Sequence, residues 1–485
     1  MYIGIDLGTS SVKMILCDKE GNIIKSITED YPIYFPEDGY SEQNPEDWYD
    51  KTLKGLKELT EGYGEQIEAL AVAGQMHGLV MLDENDTCLR PAILWNDSRS
   101  VKECDWLNNK VGKSQLSDMT ANIAFPGFTA PKILWVKENE PEIFKRCRKI
   151  MLPKDYIVYK LTGKFVTEPS DVSGMLLFDV KNKCYSKKML EICSIDENML
   201  PRVCESYDSC GKVKADIAEL LGWGEVLVAP GAGDNAGAAV GMGVTGNGMC
   251  SISIGTSGTV FISSEEFSVD ENNALHSFCH ADGSFHLMGC ILSAASCNKW
   301  WIEDILKSNN YGEIENATLT GENKVIFLPY IMGERSPHND PYARGAFVGI
   351  SMDTKREDMG IAIMEGVCYA LRDCVEIARS QGIEIKEVRV CGGGAKSSLW
   401  LNMLANILRV EVIKPVCEEG PSFGAAILAM VANGEYDCVK TACDSIVKMK
   451  EKITYSESLA QKYDRGYQKF RKLYESLKDW YKDEI

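Results

Sequence analysis

Eighteen cysteines occur in the 485 residues, yet none stands in a Cys-x-x-Cys pair, the closest two being Cys438 and Cys443. Zinc ribbons and dithiol redox motifs are therefore excluded, and His276, His280, His286 and His338 have no ligand spacing that would make a zinc site. Long apolar runs are missing too: the stretch 226–243 is broken by Pro230, Asp234 and several glycines, so no segment spans a bilayer. Positive charge is in deficit, with 52 Lys and Arg against 71 Asp and Glu and a formal charge of −19. With no Lys/Arg-rich run to offset that balance, nucleic acid and anionic membrane surfaces are not expected partners. There is no Gly-x-x-x-x-Gly-Lys-Ser/Thr loop and no Gly-x-Ser-x-Gly elbow, which excludes a Walker-type site and a hydrolase of that design. The start of the chain has no basic region followed by a long apolar run, so the expected compartment is the cytoplasm, with the cysteines as reduced core thiols.

What is present is ordinary for a globular protein, 45% hydrophobic and 25% charged, and the length allows two to four domains. Tyr2 to Leu7, Val12 to Cys17 and Ile23 to Ile27 read as three strands of an antiparallel meander, with a Gly-Thr-Ser-Ser bend after the first. The spacing of Trp48, Leu53, Leu56 and Leu59 predicts a helix over 41–59 with Asn44-Pro45 at its start, and 67–74 predicts a strand ending at Gln75-Met76-His77-Gly78. Helices are expected over 129–138, 151–161 and 398–408. The stretch 456–482 reads as an amphipathic helix whose Tyr463, Tyr467, Phe470 and Tyr474 serve packing.

The opening is repeated. Asp6-Leu7-Gly8-Thr9-Ser10-Ser11-Val12 is echoed by Ser253-Ile254-Gly255-Thr256-Ser257-Gly258-Thr259-Val260, which predicts duplication of one α/β domain. The expected division is 1–246, with an insertion at about 100–220, and 247–485. Two such bends turn backbone N–H groups and hydroxyls toward anionic oxygens, or they are plain hairpin turns. In Val226 to Ala239 an apolar strand enters a glycine-rich bend, and Asp234 opens a small-residue helix. That carboxylate either caps the helix or accepts a proton from a substrate hydroxyl. The same string imitates a dinucleotide fingerprint, but its third glycine falls at 237 and the next strand ends without a ribose-binding acid, against a nicotinamide enzyme. Asp6 closes the first strand. It hydrogen-bonds its own turn, or it holds a magnesium ion that makes the neighbouring bend compatible with phosphate. Lys13 neutralises phosphate or is simply solvated. Gln75, Met76 and His77, with Trp95, Asn96 and Asp97, offer donors, acceptors and one apolar face to a polyol. Gly392-Gly393-Gly394-Ala395 admits a ribose or planar ring, or makes a tight strand-to-helix connection.

These strings occur in the order and spacing of the FGGY family of carbohydrate kinases, which the chain resembles over nearly its whole length. One family signature appears as Gly127-Phe128-Thr129-Ala130-Pro131-Lys132-Ile133-Leu134-Trp135-Val136. Another runs from Gly345-Ala346-Phe347-Val348-Gly349-Ile350 through Asp358 to Glu365. Within the family, Ala73 to Gly78, Arg90 to Asp97, Leu152 to Tyr156, His276 to His280 and Gly333 to Asn339 are similar to the members that phosphorylate D-xylulose. Glycerol-specific members carry an Arg-Glu pair where Met76-His77 stands here. One departure is Ser11, where close relatives would carry glycine.

The resemblance implies a duplicated actin-like, ribonuclease-H-like α/β fold with ATP and sugar in a cleft between the halves, which close to exclude water. Asp234 would be the general base for D-xylulose, positioned by Met76, His77 and Asn235, with Asp6 holding Mg2+. The bends Gly8-Thr9-Ser10 and Gly255-Thr256-Ser257 would face the phosphates, and Gly393, Gly394 and Asn402 would lie along the adenosine. A homodimer is the family-level expectation for assembly. Kinases of ribulose, fuculose or gluconate, and a non-catalytic sugar or nucleotide sensor on the same scaffold, are the competing readings.

Overall fold

The structure is a computed structural model that describes residues 1–315 and 317–482. The elements used below are, in chain order, β1 (Tyr2–Leu7), β2 (Ser11–Cys17), β3 (Ile23–Asp30), α1 (Pro45–Leu59), β4 (Ala69–Gly74), α2 (Thr129–Asn139), α3 (Pro153–Thr162), β5 (Gly211–Lys212), β6 (Leu227–Gly233) and α4 (Asp234–Gly241). They continue as β7 (Met249–Ile254), β8 (Gly258–Ser264), α5 (Arg356–Ser380), β9 (Glu387–Cys391), α6 (Ser398–Leu408), β10 (Glu411–Pro415), α7 (Gly420–Ala432), β11 (Met449–Ile453) and α8 (Glu457–Leu477). The chain divides into two compact units. Met1–Gly246, Ser277–His286 and Glu419–Val447 form the first, and Asn247–His276, Leu287–Glu418 and the chain from Lys448 onward form the second.

In the first unit a six-stranded sheet has the order β5-β6-β4-β1-β2-β3. The β1–β2–β3 meander is antiparallel, whereas β4 runs parallel to both β1 and β6. The sequence of β4, Ala-Leu-Ala-Val-Ala-Gly, is buried throughout, and its small residues let other elements approach closely. A Cβ on Gly74 would lie 3.0 Å from the Cβ of Lys154 on α3. Helix α7 crosses the sheet at similarly short range. A Cβ on Gly4 of β1 would fall 1.8 Å from the Ser422 carbonyl oxygen, and one on Gly424 would fall 1.8 Å from that of Gly237 on α4. No side chain fits at either crossing.

Two helices begin later than their apolar spacing suggests, for one reason. Helix α1 starts at Pro45 and not at Ser41, because the Asn44 side chain accepts the Glu46 N–H (3.3 Å) and Pro45 occupies the first position, where a missing N–H costs nothing. Glu42–Gln43 pair instead with Ala92–Ile93 as a short antiparallel ladder. Likewise Lys149–Met151 is a strand, and α3 begins at Pro153.

In the second unit a seven-stranded sheet includes the run β8-β7-β9-β10-β11, with β11 at its edge. Strands β7 and β8 form an antiparallel hairpin, and β9 lies parallel to β7 on its other side. The pattern of hairpin plus parallel neighbour therefore occurs in both units, as the duplicated strings predict. The aromatic stripe of α8 is buried, with the Tyr467 hydroxyl donating to Asp373 (2.6 Å) and that of Tyr474 to Asp340 (3.0 Å). Among the described residues no helix is long and apolar enough to cross a membrane.

Candidate active site

Register fixes where the polar residues of the first unit collect. Leu7 of β1 pairs with Gly74 of β4, and Gly74 pairs with Gly233 of β6, so three parallel strands end at one edge of the sheet. The residues that follow them are Gly8-Thr9-Ser10, Gln75-Met76-His77 and Asp234-Asn235, which places the sequence-predicted groups at the carboxyl ends of parallel strands, where α/β proteins bind ligands. A bulge between Ala229 and Ala232 re-aims the end of β6. Gly231 makes it possible: its φ is +81°, and a Cβ there would fall 1.9 Å from the Val72 carbonyl oxygen.

Asp234 is the first residue of α4 and is half-buried. Its Oδ1 accepts the main-chain N–H (2.6 Å) and the side-chain amide (2.8 Å) of Asn235, which orients the carboxylate. Burial raises its pKa to about 6 against these two donors, which favour the charged form. Asp6 goes further. Burial and then repulsion from Asp234 push it to about 7, with Lys13 acting in the opposite direction. Lys13 is not simply solvated but forms an ion pair with Glu419.

Each bend and loop around these acids is tied down. Gly8 N–H donates to the Ser11 carbonyl (3.0 Å), and the Gly8 carbonyl receives the Tyr31 hydroxyl. The carbonyl of Thr9 accepts Gln43 Nε2 (2.7 Å), and Gln43 Oε1 in turn accepts Gln75 Nε2 (3.0 Å) and Trp48 Nε1 (3.0 Å). Gln75 thus serves a chain of amides beneath the bend. Trp95 is 46% exposed and donates its indole N–H to Thr9 Oγ1 (3.0 Å). Asp97 faces inward, its carboxylate held by Arg99 Nε (2.9 and 3.1 Å), Arg99 Nη2 (2.7 Å) and the Ser41 N–H (2.6 Å), so it orders the loop that presents Trp95. Met76 packs under the end of β6, where a Cβ on Gly233 would lie 3.0 Å from its Cγ. His77 Nδ1 lies 2.8 Å from the Gly174 carbonyl oxygen.

One group of side chains carries chemistry that the sequence motifs do not announce. Lys154 of α3 is fully buried, with its Nζ 2.8 Å from Asp155, 3.4 Å from Glu168 and 3.8 Å from Asp171. Glu168 accepts the N–H groups of Ser170 (2.7 Å) and Asp171 (2.9 Å) and the Ser206 hydroxyl (2.7 Å). The Ser170 hydroxyl accepts the N–H of Gly233, directly before Asp234 (3.1 Å). Burial raises the Asp171 pKa far above its usual value despite Lys154, and Asp234 is among the charges that raise it.

In the second unit Thr256 sits at the tip of the β7–β8 bend, which is braced by Gly255 N–H to Ser257 O (3.0 Å) and by Ala294 N–H to Thr256 O (2.9 Å). Gly392 follows β9 at φ +87°, with Ile254 too close to admit a side chain, while a Cβ on Gly393 would meet nothing. Between them opens a cavity of about 780 Å³ lined by Thr256, Gly393, Gly394, Lys396 and Trp400 with Tyr311, among others. Its size and mixed polar and apolar walls are those of a small-molecule cavity. Ser397 caps α6, accepting the Trp400 N–H (3.0 Å) and donating to Glu315 (2.7 Å). Asn402 is exposed, and its side-chain amide donates to the Ser398 carbonyl of its own helix (2.8 Å).

A partly buried carboxylate near neutrality, with an amide orienting it, is what abstraction of a hydroxyl proton requires, and a cavity of nucleoside size supplies a place for the donor. The first of these features lies in the first unit and the second in the second unit. The chain belongs to the FGGY family of carbohydrate kinases: the family's N-terminal domain matches residues 1–241 and its C-terminal domain residues 250–433. It is similar to the xylulose kinase of Escherichia coli (strain K12), 40% identical over 490 residues, which cover 98% of this chain and 99% of that protein. It is also similar to the crystal structure of a xyloylose kinase from Brucella ovis, with TM-score 0.94, 36% identity and 99% of each chain covered. The crystal structure of gluconate kinase from Lactobacillus acidophilus shares the fold, with TM-score 0.93 and 24% identity over 98% of this chain and 97% of that one. The protein is an ATP-dependent carbohydrate kinase.

Proposed function

We propose that the chain transfers the γ-phosphoryl group of ATP to the 5-hydroxyl of D-xylulose, releasing D-xylulose 5-phosphate and ADP. The observation that supports this reading best is the convergence of Asp234, Asn235, Met76 and His77 on the ends of adjacent parallel strands, in a chain 40% identical to a xylulose kinase. His77 and Asn235 offer hydrogen bonds to the ketose, and Trp95 offers an apolar face. Asp234 takes the proton of the terminal hydroxyl as its oxygen attacks the γ-phosphorus in line, ADP leaves, and the proton passes to solvent.

Among the described residues no cluster of three or more His, Cys, Asp or Glu could hold a metal by itself. The mutual repulsion of Asp6 and Asp234 fits a divalent cation shared with phosphate oxygens, the usual way magnesium is bound. Asp6 is the residue assigned to hold Mg2+, which would neutralise phosphate charge. The nucleoside is assigned to the cavity lined by Thr256, Gly393 and Gly394. The reading extends to a cytoplasmic enzyme, supported by eighteen cysteines of which Cys184 and Cys438 are exposed and the rest buried or half-buried.

A panel of D-xylulose, D-ribulose, L-fuculose and D-gluconate, followed by ADP release, tests the substrate. D-Xylulose is expected to give the highest kcat/KM by about tenfold or more, the discrimination that one misplaced hydroxyl produces in a hydrogen-bonding site. Preference for another member of the panel overturns the assignment. His77→Ala is expected to raise the KM for the ketose by about tenfold, the loss of one good hydrogen bond, while changing the KM for ATP by less than about threefold. Steady-state titration of each substrate at saturation of the other reads both constants. The opposite pattern would move His77 to the nucleotide.

A further inference from the structure

We propose that Lys132 is a positioning residue of the sugar site, whose buried amine clamps the His77 carbonyl and so fixes the His77 imidazole where it meets the ketose. The inference rests on the assignment of His77 to the sugar.

His77 is a β-carbon-bearing residue at φ +69°, a backbone conformation that such residues leave unless neighbours hold them there. The neighbours come from the first turn of α2. Lys132 Nζ donates to the His77 carbonyl (2.9 Å) and to the Gly127 carbonyl (2.8 Å), and the Thr129 hydroxyl donates to the same His77 oxygen (3.0 Å). The ring beyond this backbone is confined on two sides. Phe128 lies 4.7 Å away, centroid to centroid, at an interplanar angle of 33°. On the other side a Cβ on Gly174 would fall 2.3 Å from His77 Cε1, so only glycine leaves room for the ring. Because the Gly174 carbonyl can only accept, the 2.8 Å contact places a hydrogen on Nδ1, which in the neutral ring leaves Nε2 without one.

Lys132 has no exposed surface, and in that respect matches Lys154. The two differ in what they meet. Lys154 sits among three carboxylates, whereas the Lys132 amine points at two main-chain carbonyls, with Asp97 and Arg99 as the charges that act on it. Burial lowers its pKa to about 7, and the neutral amine keeps the two N–H groups that both carbonyls need. A methionine would fill the same volume without the cost of burying an amine. The amine is therefore explained by the backbone it holds.

The test uses Lys132→Met and, because it removes one donor and little volume, Thr129→Val. Imidazole 15N spectra of the full-length protein without ligand, with the His77 signals identified by their loss in His77→Ala, are expected to show one Nδ1–H tautomer in the wild type. A mixture of tautomers or exchange-broadened signals is expected in Lys132→Met, and the same change to a smaller degree in Thr129→Val. In kinetics, Lys132→Met is expected to raise the ketose KM about tenfold with the ATP KM unchanged, and to add nothing to His77→Ala in the double variant.

Unchanged imidazole signals in the variants overturn the clamp. Additive effects with His77→Ala, or an equal rise in the ATP KM, overturn its role at the sugar. If Lys132→Met does not fold, Thr129→Val decides both points. Failure of the wild type to phosphorylate any ketose would refute the proposed function while leaving the spectra to judge the clamp.

Discussion

Asp234→Asn is expected to lower kcat by about 100- to 10,000-fold, the contribution of a general base, while the ketose binds within about threefold of its normal affinity. The substitution keeps the size and the planar group that Asn235 orients, and removes only the ability to take a proton. The same carboxylate sets the pH dependence. Its pKa is raised from the usual carboxylate range to about 6, so it is protonated and useless as a base below that value and ionised above it. For the wild type, kcat/KM for the ketose is therefore expected to rise as pH passes through about 6, and the small residual activity of the variant is expected to lack that limb. Steady-state kinetics from pH 5 to 8, with calorimetric titration of the ketose, measure both. A variant retaining a tenth or more of the activity would mean that another group takes the proton.

Lys154→Met is expected to cost about 3–5 kcal/mol of stability at pH 8, the range seen when one partner of a buried ion pair is removed. It leaves the buried Asp155, Glu168 and Asp171 without the Lys154 amine. The sign of the pH effect follows from Asp171, whose pKa burial holds above its ordinary value. A group raised in the folded state contributes stability at low pH that is lost as pH climbs through its folded value. The penalty in the variant is accordingly expected to shrink at pH 5, where the orphaned carboxylates can bind protons, and to shrink also when Asp171→Asn is added. Urea unfolding at the two pH values reads it. Equal penalties at pH 5 and pH 8 would show that lost packing, not unbalanced charge, is the cause.

The parts of this molecule that the sequence displays are those built from neighbours in the chain. The hairpin bends at Gly8 and Gly255, the strand running into Asp234 and the glycines after β9 are each written in a few consecutive residues, and their local geometry is as their spacing predicts. The Asn44-Pro45 start of α1 is legible in the sequence, whereas at Leu152-Pro153 the proline sets a first turn later than apolar periodicity suggests. The buried amines were illegible for a physical reason. Pro153-Lys154-Asp155 and Thr129-Ala130-Pro131-Lys132 have the composition of solvated helix N-termini, and what covers them comes from distant stretches such as Glu168 to Asp171 and the His77 loop. Asp97 and Gln75 were visible as polar residues beside a candidate site. The engagement of Asp97 with the Ser41 N–H and of Gln75 with Gln43 could be known only once residues far apart in the chain were placed together.

Helix α7 belongs to the first unit although about 160 residues of the second precede it in the chain. Its crossings at Gly4 and Gly424 leave no slack for a substitute. During synthesis, then, the lobe that carries Asp234 remains unfinished on the ribosome until the chain has been made past Ala432. A gene fragment ending near Gly246 would encode a sheet with one of its covering helices missing, so the lobe that carries Asp234 cannot be obtained by simple truncation.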